Sequence, residues 1–378
     1  MSQIRQFLLI ALCLCSIWGC RRDTGSADGF NTSIYTPAYA GGFRILGAEG
    51  KHSVVLEALN PWQGADSTVS RLFIGRGGEK APEGFDGQVI EGDAKRIVAM
   101  SSTQIAMLDE IGETGRVKGV SGQGYISNAD IRARGAEIVD VGYEGNVDYE
   151  LLMSADPDLV LLYGITGASP MESKLRELGI PYFYIGEYLE PSPLGKAEWL
   201  VALGEITGKR EEAIDSFSRI PQRYNELRAL AAGASTPRPK VMINTPYGDT
   251  WVMASTDSYV GTLIRDAGGD YLYRRKTSAS EPIDIEEAFV MTSGADKWIN
   301  LGQITSAAEL KKMLPKFAGT KPVATGEIYN TTARCTPGGG NDYWESGVVR
   351  PDIVLRDLIK IFHPELVDEE LFYYTRLI

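Results

Sequence analysis

Apolar residues along this chain fall into short runs separated by helical stretches, and the texture of those runs changes near residue 94. From Ala94 onward the runs "RIVAMSS", "VKGVSG", "AEIVDVG", "DLVLLYG" and "YFYIGEY" alternate with helical segments. Strands this oily on both faces belong in a parallel sheet covered by helices, so the expected fold is α/β, built of βαβ units. Several runs end in Gly, Ser or Tyr, which gathers polar and aromatic side chains at the carboxyl edge of the sheet. Ligands of open α/β sheets bind at that edge.

Between Ala197 and Ala232 the pattern turns helical. Ala213, Phe217, Ile220, Tyr224, Leu227 and Ala231 recur at spacings of 4, 3, 4, 3 and 4, an apolar stripe on one helix face. Pro221 sits beside the stripe and predicts a kink near Ile220. After the turn-rich "AGASTPRP" the strand and helix alternation resumes with "KVMINTP", "SYVGTLIRDAGG", "KWINLG", the strand "PVATGEIYN" and the helix "PDIVLRDLIKIF". The expected architecture is two Rossmann-like α/β lobes, residues 94–195 and 236–378, joined by a long rigid helix over 196–235. A helical joint is stiffer than extended strands, so small closure is expected rather than a wide hinge. Before residue 94 the runs "HSVVLEAL" and "TVSRLFIGR" are β-type and broken by Gly, Pro and Asp, which predicts a β-rich N-terminal extension over 30–93.

The first residues follow another logic. "MSQIRQFLLIALCLCSIWGC" has a basic Arg5, an apolar run too short to span a bilayer and a small Gly19 before Cys20. It reads as an export signal over 1–19 with Cys20 as the lipid acceptor, followed by a flexible tether over 20–29. Cys13 and Cys15 leave with the signal, Cys20 carries lipid, and Cys335 alone remains as a thiol, so no disulfide framework forms. A formal net charge of −12 repels phosphate backbones, and nucleic acid is excluded as a partner.

Candidate chemistry is sparse in the residues that catalyse and rich in those that bind. Only His52 and His363 are present, no His, Cys and Asp cluster shows metal-ligand spacing, and neither a catalytic role nor a resident cofactor or metal is expected. The run "GVSGQG" lacks the glycine of a nucleophile elbow, and "TPGGGNDYW" lacks the Lys-Ser/Thr ending of a phosphate loop. Aromatic, hydroxyl, amide and guanidinium groups instead collect at the expected strand ends and beside the glycine run. The candidate ligand-binding set is Ser102, Gln123, Tyr125, Tyr163, Tyr188, Tyr247, Trp251, Tyr329, Arg334 and Trp344. Arg350 is expected to pair structurally with a nearby acid.

Five stretches taken in order, "KRIVAMSSTQIAMLDEIGETGRVKGVSG", "VDYELLMSADPDLVLL", "ELGIPYFYI", "YVGTLIRDAGGDYLY" and "GVVRPDIVLRDLIKIFHPEL", resemble the substrate-binding proteins of ABC importers for iron complexes and vitamin B12. The resemblance runs from about Lys95 to Leu366. It implies a monomeric, lipid-anchored envelope protein that captures a chelated metal compound (a ferric siderophore, haem or corrinoid) and delivers it to a permease and its ATPase. It also implies one surface glutamate per lobe for permease docking: Glu150 in the first lobe, and Glu287 in the second with Glu286 as its rival. An envelope enzyme acting on a bulky substrate, or a binding module of a sensor or outer-membrane scavenging complex, are the alternative expectations.

Overall fold

The structure, a computed structural model, describes residues 29–378; the export signal, Cys20 and all of the tether but Gly29 lie outside the described residues. The first lobe is built on five parallel strands in the spatial order Tyr182–Tyr184, Leu159–Leu162, Ile97–Ala99, Val117–Val120 and Val139–Asp140. All four residues of Leu159–Leu162 are buried, as the unbroken apolar run requires of a central strand covered on both faces. The second lobe repeats the plan in the order Asp270–Tyr271, Lys240–Ile243, Lys297–Ile299, Ile328–Asn330 and Thr375–Arg376. Only its last pairing is antiparallel. The strand expected over "PVATGEIYN" is shorter than the run: Lys321–Ala324 is helical, with Pro322 in its first turn, and the strand is Ile328–Asn330.

The repeat extends to the caps. Asp148 caps the helix Tyr149–Ser154, and Asp284 caps Ile285–Ser293. Asp158 then accepts the N–H groups of Lys95 and Arg96 at 2.8 and 2.9 Å, and Asp296 accepts that of Lys240 at 2.8 Å. "PDLV" and "ADKW" therefore use one device: an acid at the start of one strand ties down the start of its neighbour.

The joint differs from the single helix expected over 196–235. Three helices follow one another, Pro193–Glu198, Leu200–Thr207 and Arg210–Ala232. The break falls at Gly208, whose φ of +72° ends the second helix in the left-handed region that favours glycine. Pro221 lies inside the third helix, which is assigned without interruption across it; only the bond its missing N–H would have made is lost. The stripe reads as expected, with Ala213, Phe217, Ile220, Tyr224 and Ala231 buried and Leu227 packed against the same core.

Residues 32–91 form a separate five-stranded sheet in sequential order, Thr32–Tyr35, Phe43–Gly47, Val54–Leu59, Val69–Gly75 and Gln88–Glu91. It is fastened to the joint by buried acids. Glu198 accepts the Tyr35 hydroxyl and the N–H groups of Ala38, Tyr39 and Ala40, all within 2.8 Å. Glu190 accepts Gly41 N–H, Gly42 N–H and Trp199 Nε1. Arg76 donates to Asp93 and to the buried Glu205. Trp62 packs edge-on against Tyr184, 5.4 Å between ring centres.

Candidate ligand-binding site

The carboxyl edges of the two parallel sheets bound a cavity of about 500 Å³. The first lobe contributes Ser102, at the start of the helix Ser102–Glu110, and Tyr125. That helix is pinned by a capping box, in which Ser101 accepts Thr103 N–H and the Gln104 side chain accepts Ser101 N–H, so its partly positive end is fixed beside the cavity. The second lobe contributes the residues that follow three of its strands: Asn244 after Lys240–Ile243, Asn300 after Lys297–Ile299, and Thr331 and Thr332 after Ile328–Asn330. Cys335, Asn341 and Trp344 come from the glycine-rich segment beyond.

Asn244 and Asn300 carry positive φ, +64° and +61°. Asparagine tolerates this region better than other residues with a Cβ, and it turns the chain sharply at the sheet edge. Both amides are held: Asn244 Nδ2 donates to Val252 O at 2.8 Å, and Asn300 Oδ1 accepts the Tyr374 hydroxyl at 2.8 Å. These two residues were absent from the expected set. The sequence does carry a signal for them, an Asn directly closing each of the buried runs "KVMIN" and "KWIN".

The expected residues divide. Ser102, Tyr125 and Trp344 line the cavity, and Tyr125 and Trp344 are about half exposed. Trp251 does not: it is 1% exposed and stacks on Trp298 and Phe317 inside the second lobe, where its indole N–H meets Ile243 O. Tyr329 is likewise buried, donating to Glu327 at 3.1 Å at the side of the sheet closed by Thr375–Arg376. Gln123 turns back into its own lobe to donate to Gly135 O at 2.7 Å. Tyr188 donates to Gly164 O and so holds the turn after Leu159–Leu162, while Tyr163 packs against the core. Arg334 is spent on Asp342 at 2.6 Å and lies 4.3 Å over the Phe372 ring; Arg350 pairs with Asp352. Tyr247, 91% exposed, tips a turn three residues beyond Asn244, outside the cavity lining. A strand-end position names neither the face nor the depth of a side chain, which is why these positions separate only in three dimensions.

Neither histidine joins the lining. His363 is buried between Thr236 Oγ1 at 2.8 Å and Gly268 O at 3.2 Å, and His52 belongs to the N-terminal sheet, close to Gly77. Cys335 lines the cavity as a free thiol, with burial pushing its pKa up and keeping it protonated. Among the described residues no group of three or more His, Cys, Asp or Glu is placed to hold a metal ion. The lining is thus a neutral assembly of amides, hydroxyls, aromatic rings and a thiol, next to a helix start.

The two acidic helix starts lie elsewhere. Glu150 and Glu286 are both the second residue of an Asp-capped helix, and both are exposed. Glu287, one position further, receives Arg275 at 2.7 Å. By helix position Glu286, rather than the expected Glu287, is the counterpart of Glu150.

Comparison with known proteins agrees with this architecture. The chain is 27% identical over 334 residues to the uncharacterized lipoprotein MJ0878 of Methanocaldococcus jannaschii, covering 81% of this chain and 78% of that protein. In fold it is similar to a periplasmic haem-binding protein of Pseudomonas aeruginosa, with a TM-score of 0.58 at 18% identity over 74% of this chain and 97% of the other. It is also similar to the periplasmic vitamin B12 binding protein BtuF of Vibrio cholerae, with a TM-score of 0.50 at 16% identity over 71% and 96% of the two chains. Residues 97–335, well over half of the chain, match the periplasmic binding protein family, and the chain belongs to that family, in its iron-complex and vitamin B12 type.

Proposed function

We propose that this protein is the lipid-anchored solute-binding component of an ABC importer. It captures a chelated metal compound, a ferric siderophore, haem or corrinoid such as cobalamin, between its lobes and hands it unchanged to the permease and its ATPase. The observation that carries this reading is the cavity of about 500 Å³ at the facing carboxyl edges of two parallel sheets, in a chain of this family. Its lining suits a ligand that brings its own donors. A bare divalent ion is held by imidazole, carboxylate or thiolate, whereas amides, hydroxyls and aromatic walls suit a large, partly flat chelate. Trp344 and Tyr125 supply the flat walls, Asn244, Asn300 and Thr331 orient polar edges, and the start of the helix at Ser102 faces an acidic substituent. Of the lining groups, the Tyr125 hydroxyl and the Cys335 thiol are of the types that would ligate the metal of a bound chelate, and protonation weakens the thiol as a donor.

Anchoring at Cys20 is supported by the sequence of the export signal and by the similarity to a lipoprotein. Docking falls to Glu150 in the first lobe and Glu286 in the second, acids at matching helix positions on exposed surface.

Titration of the purified protein with haem, cyanocobalamin and a ferric hydroxamate or catecholate, followed by native mass spectrometry and tryptophan fluorescence, tests the reading. One class should bind at one per chain, with the ligand's mass unchanged. No binding across the panel, or conversion of a ligand, overturns it.

A further inference from the structure

One carboxylate crosses from lobe to lobe. Glu345 accepts the backbone N–H of Ser127 at 2.7 Å although 218 positions separate them, and Glu345 is 2% exposed. The bond belongs to a seam between residues 122–127 and 336–345. Thr336 Oγ1 donates to Gly124 O at 2.9 Å. At Gly338 and Gly340 a Cβ would overlap the carbonyls of Gly124 and Tyr125, so backbone lies directly on backbone. Tyr125, Gly340 and Trp344, from the same two segments, line the cavity. Opening the seam and widening the cavity are therefore one movement.

We infer that Glu345 is a proton-operated latch between the lobes: protonated, it keeps the seam shut beside the cavity, and ionised, it loosens it. The latch stands on the seam's geometry and is independent of which ligand the cavity takes. The charged groups facing Glu345 are Asp342 on its own segment and Asp109 on the helix Ser102–Glu110, both of like sign. The nearby cations Arg334 and Arg350 are engaged by Asp342 and Asp352. Only the N–H groups of Ser127 and Asn128 favour the ionised form. Burial outweighs them and pushes the carboxyl up to about 7. The Ser127 hydroxyl is buried in the seam without a hydrogen-bond partner and so does not stabilise the ionised form by donating to it.

The sign follows. In an open seam the carboxyl meets water and returns to its ordinary value of 4.5, so the closed seam holds a proton that the open one releases. Closure is fully favoured below the ordinary value and is lost as pH rises through about 7, the open-to-closed ratio growing at most about tenfold per pH unit between them.

Spin labels carried on ketone-bearing unnatural residues at the exposed positions Glu137 and Lys312 report lobe separation in the full chain without ligand. Between pH 5 and 7 the long-distance population should grow by up to about tenfold per unit and then level off. Glu345→Gln, neutral at every pH and still an acceptor for Ser127 N–H, should keep the short distance throughout. Thr336→Val, which removes the seam's other side-chain bond, should raise the open population by one constant factor and keep the pH slope. In the unsubstituted protein the Ser127 amide resonance should titrate with a midpoint near 7, a readout that needs no variant to fold. A flat distance profile, a pH slope retained by Glu345→Gln, or a Ser127 amide unmoved from pH 5 to 8 overturns the latch. Because no ligand is present, these outcomes are separate from the ligand titration above.

Discussion

Single side chains in this protein are sorted by depth rather than by type. Trp344 and Trp251 are both tryptophans near sheet edges, yet one is 55% exposed at the cavity and the other 1% exposed in a stack of three aromatic rings. A coloured chelate quenches every tryptophan within energy-transfer range, but Trp344, at the cavity, should be the one whose emission maximum shifts on contact. Trp344→Phe should abolish the ligand-induced shift of the emission maximum, and Trp344→Ala should weaken binding by about tenfold, the loss of one aromatic contact. Trp251→Phe should retain the shift and lower the melting temperature, because it opens a gap in a packed core. Fluorescence titration and calorimetry on the three variants decide the matter. The sequence showed that both residues were aromatic and near strand ends; which of them meets solvent depends on Phe317 and Trp298, brought in from other parts of the chain.

At the scale of elements, buried acids do the joining. Glu198 is fully buried and holds four donors of the N-terminal sheet. Glu198→Ala leaves three backbone N–H groups and a tyrosine hydroxyl without their acceptor, which costs about 3–5 kcal/mol by the usual penalty for breaking a buried charged network. The expected result is a lower denaturation midpoint together with new proteolytic cleavage at 36–42, measured against the unsubstituted protein. The acidic helix starts make a different prediction. Charge reversal of Glu150 and Glu286 together should abolish ligand-dependent stimulation of the permease's ATPase while ligand affinity stays within twofold, because neither residue lines the cavity. One acid in each lobe, Glu150 and Glu287 or its neighbour Glu286, was legible in the sequence through the resemblance. The helix position of each glutamate, and the Arg275 pair that engages Glu287, were not, since Arg275 lies on a neighbouring segment.

For the whole molecule, the joint and the seam set how far the lobes move. The helices over 193–232 join the lobes, and the glycine contacts at 338 and 340 bring backbone of the two lobes together beside the cavity, so the lobes are held at two places. A ligand that binds only the folded form adds about 2.7 kcal/mol of stability at a hundredfold excess over its Kd. The melting temperature should rise by a few degrees with the true cargo and stay unchanged with the other classes of chelate, in a thermal scan at fixed pH. The same scan run at pH 6 and pH 8 should show the larger ligand-free stability at pH 6 if Glu345 dominates the pH response, the direction its raised pKa demands.

The sequence by itself determined the layered α/β plan, the alternation that writes it twice, the apolar stripe of the long helix and the β-rich segment before residue 94. Each is a local periodicity, and a local pattern records which face of a strand or helix must be hidden from water. Tertiary structure alone decided that Asn244 and Asn300 stand at the cavity while Trp251 and Tyr329 do not, that the joint breaks at Gly208, and that Glu345 meets Ser127 across 218 positions. Those outcomes depend on which distant surfaces pack together, and burial, which sets both the exposure of a ring and the pKa of an acid, is a property of the packed molecule rather than of the residue.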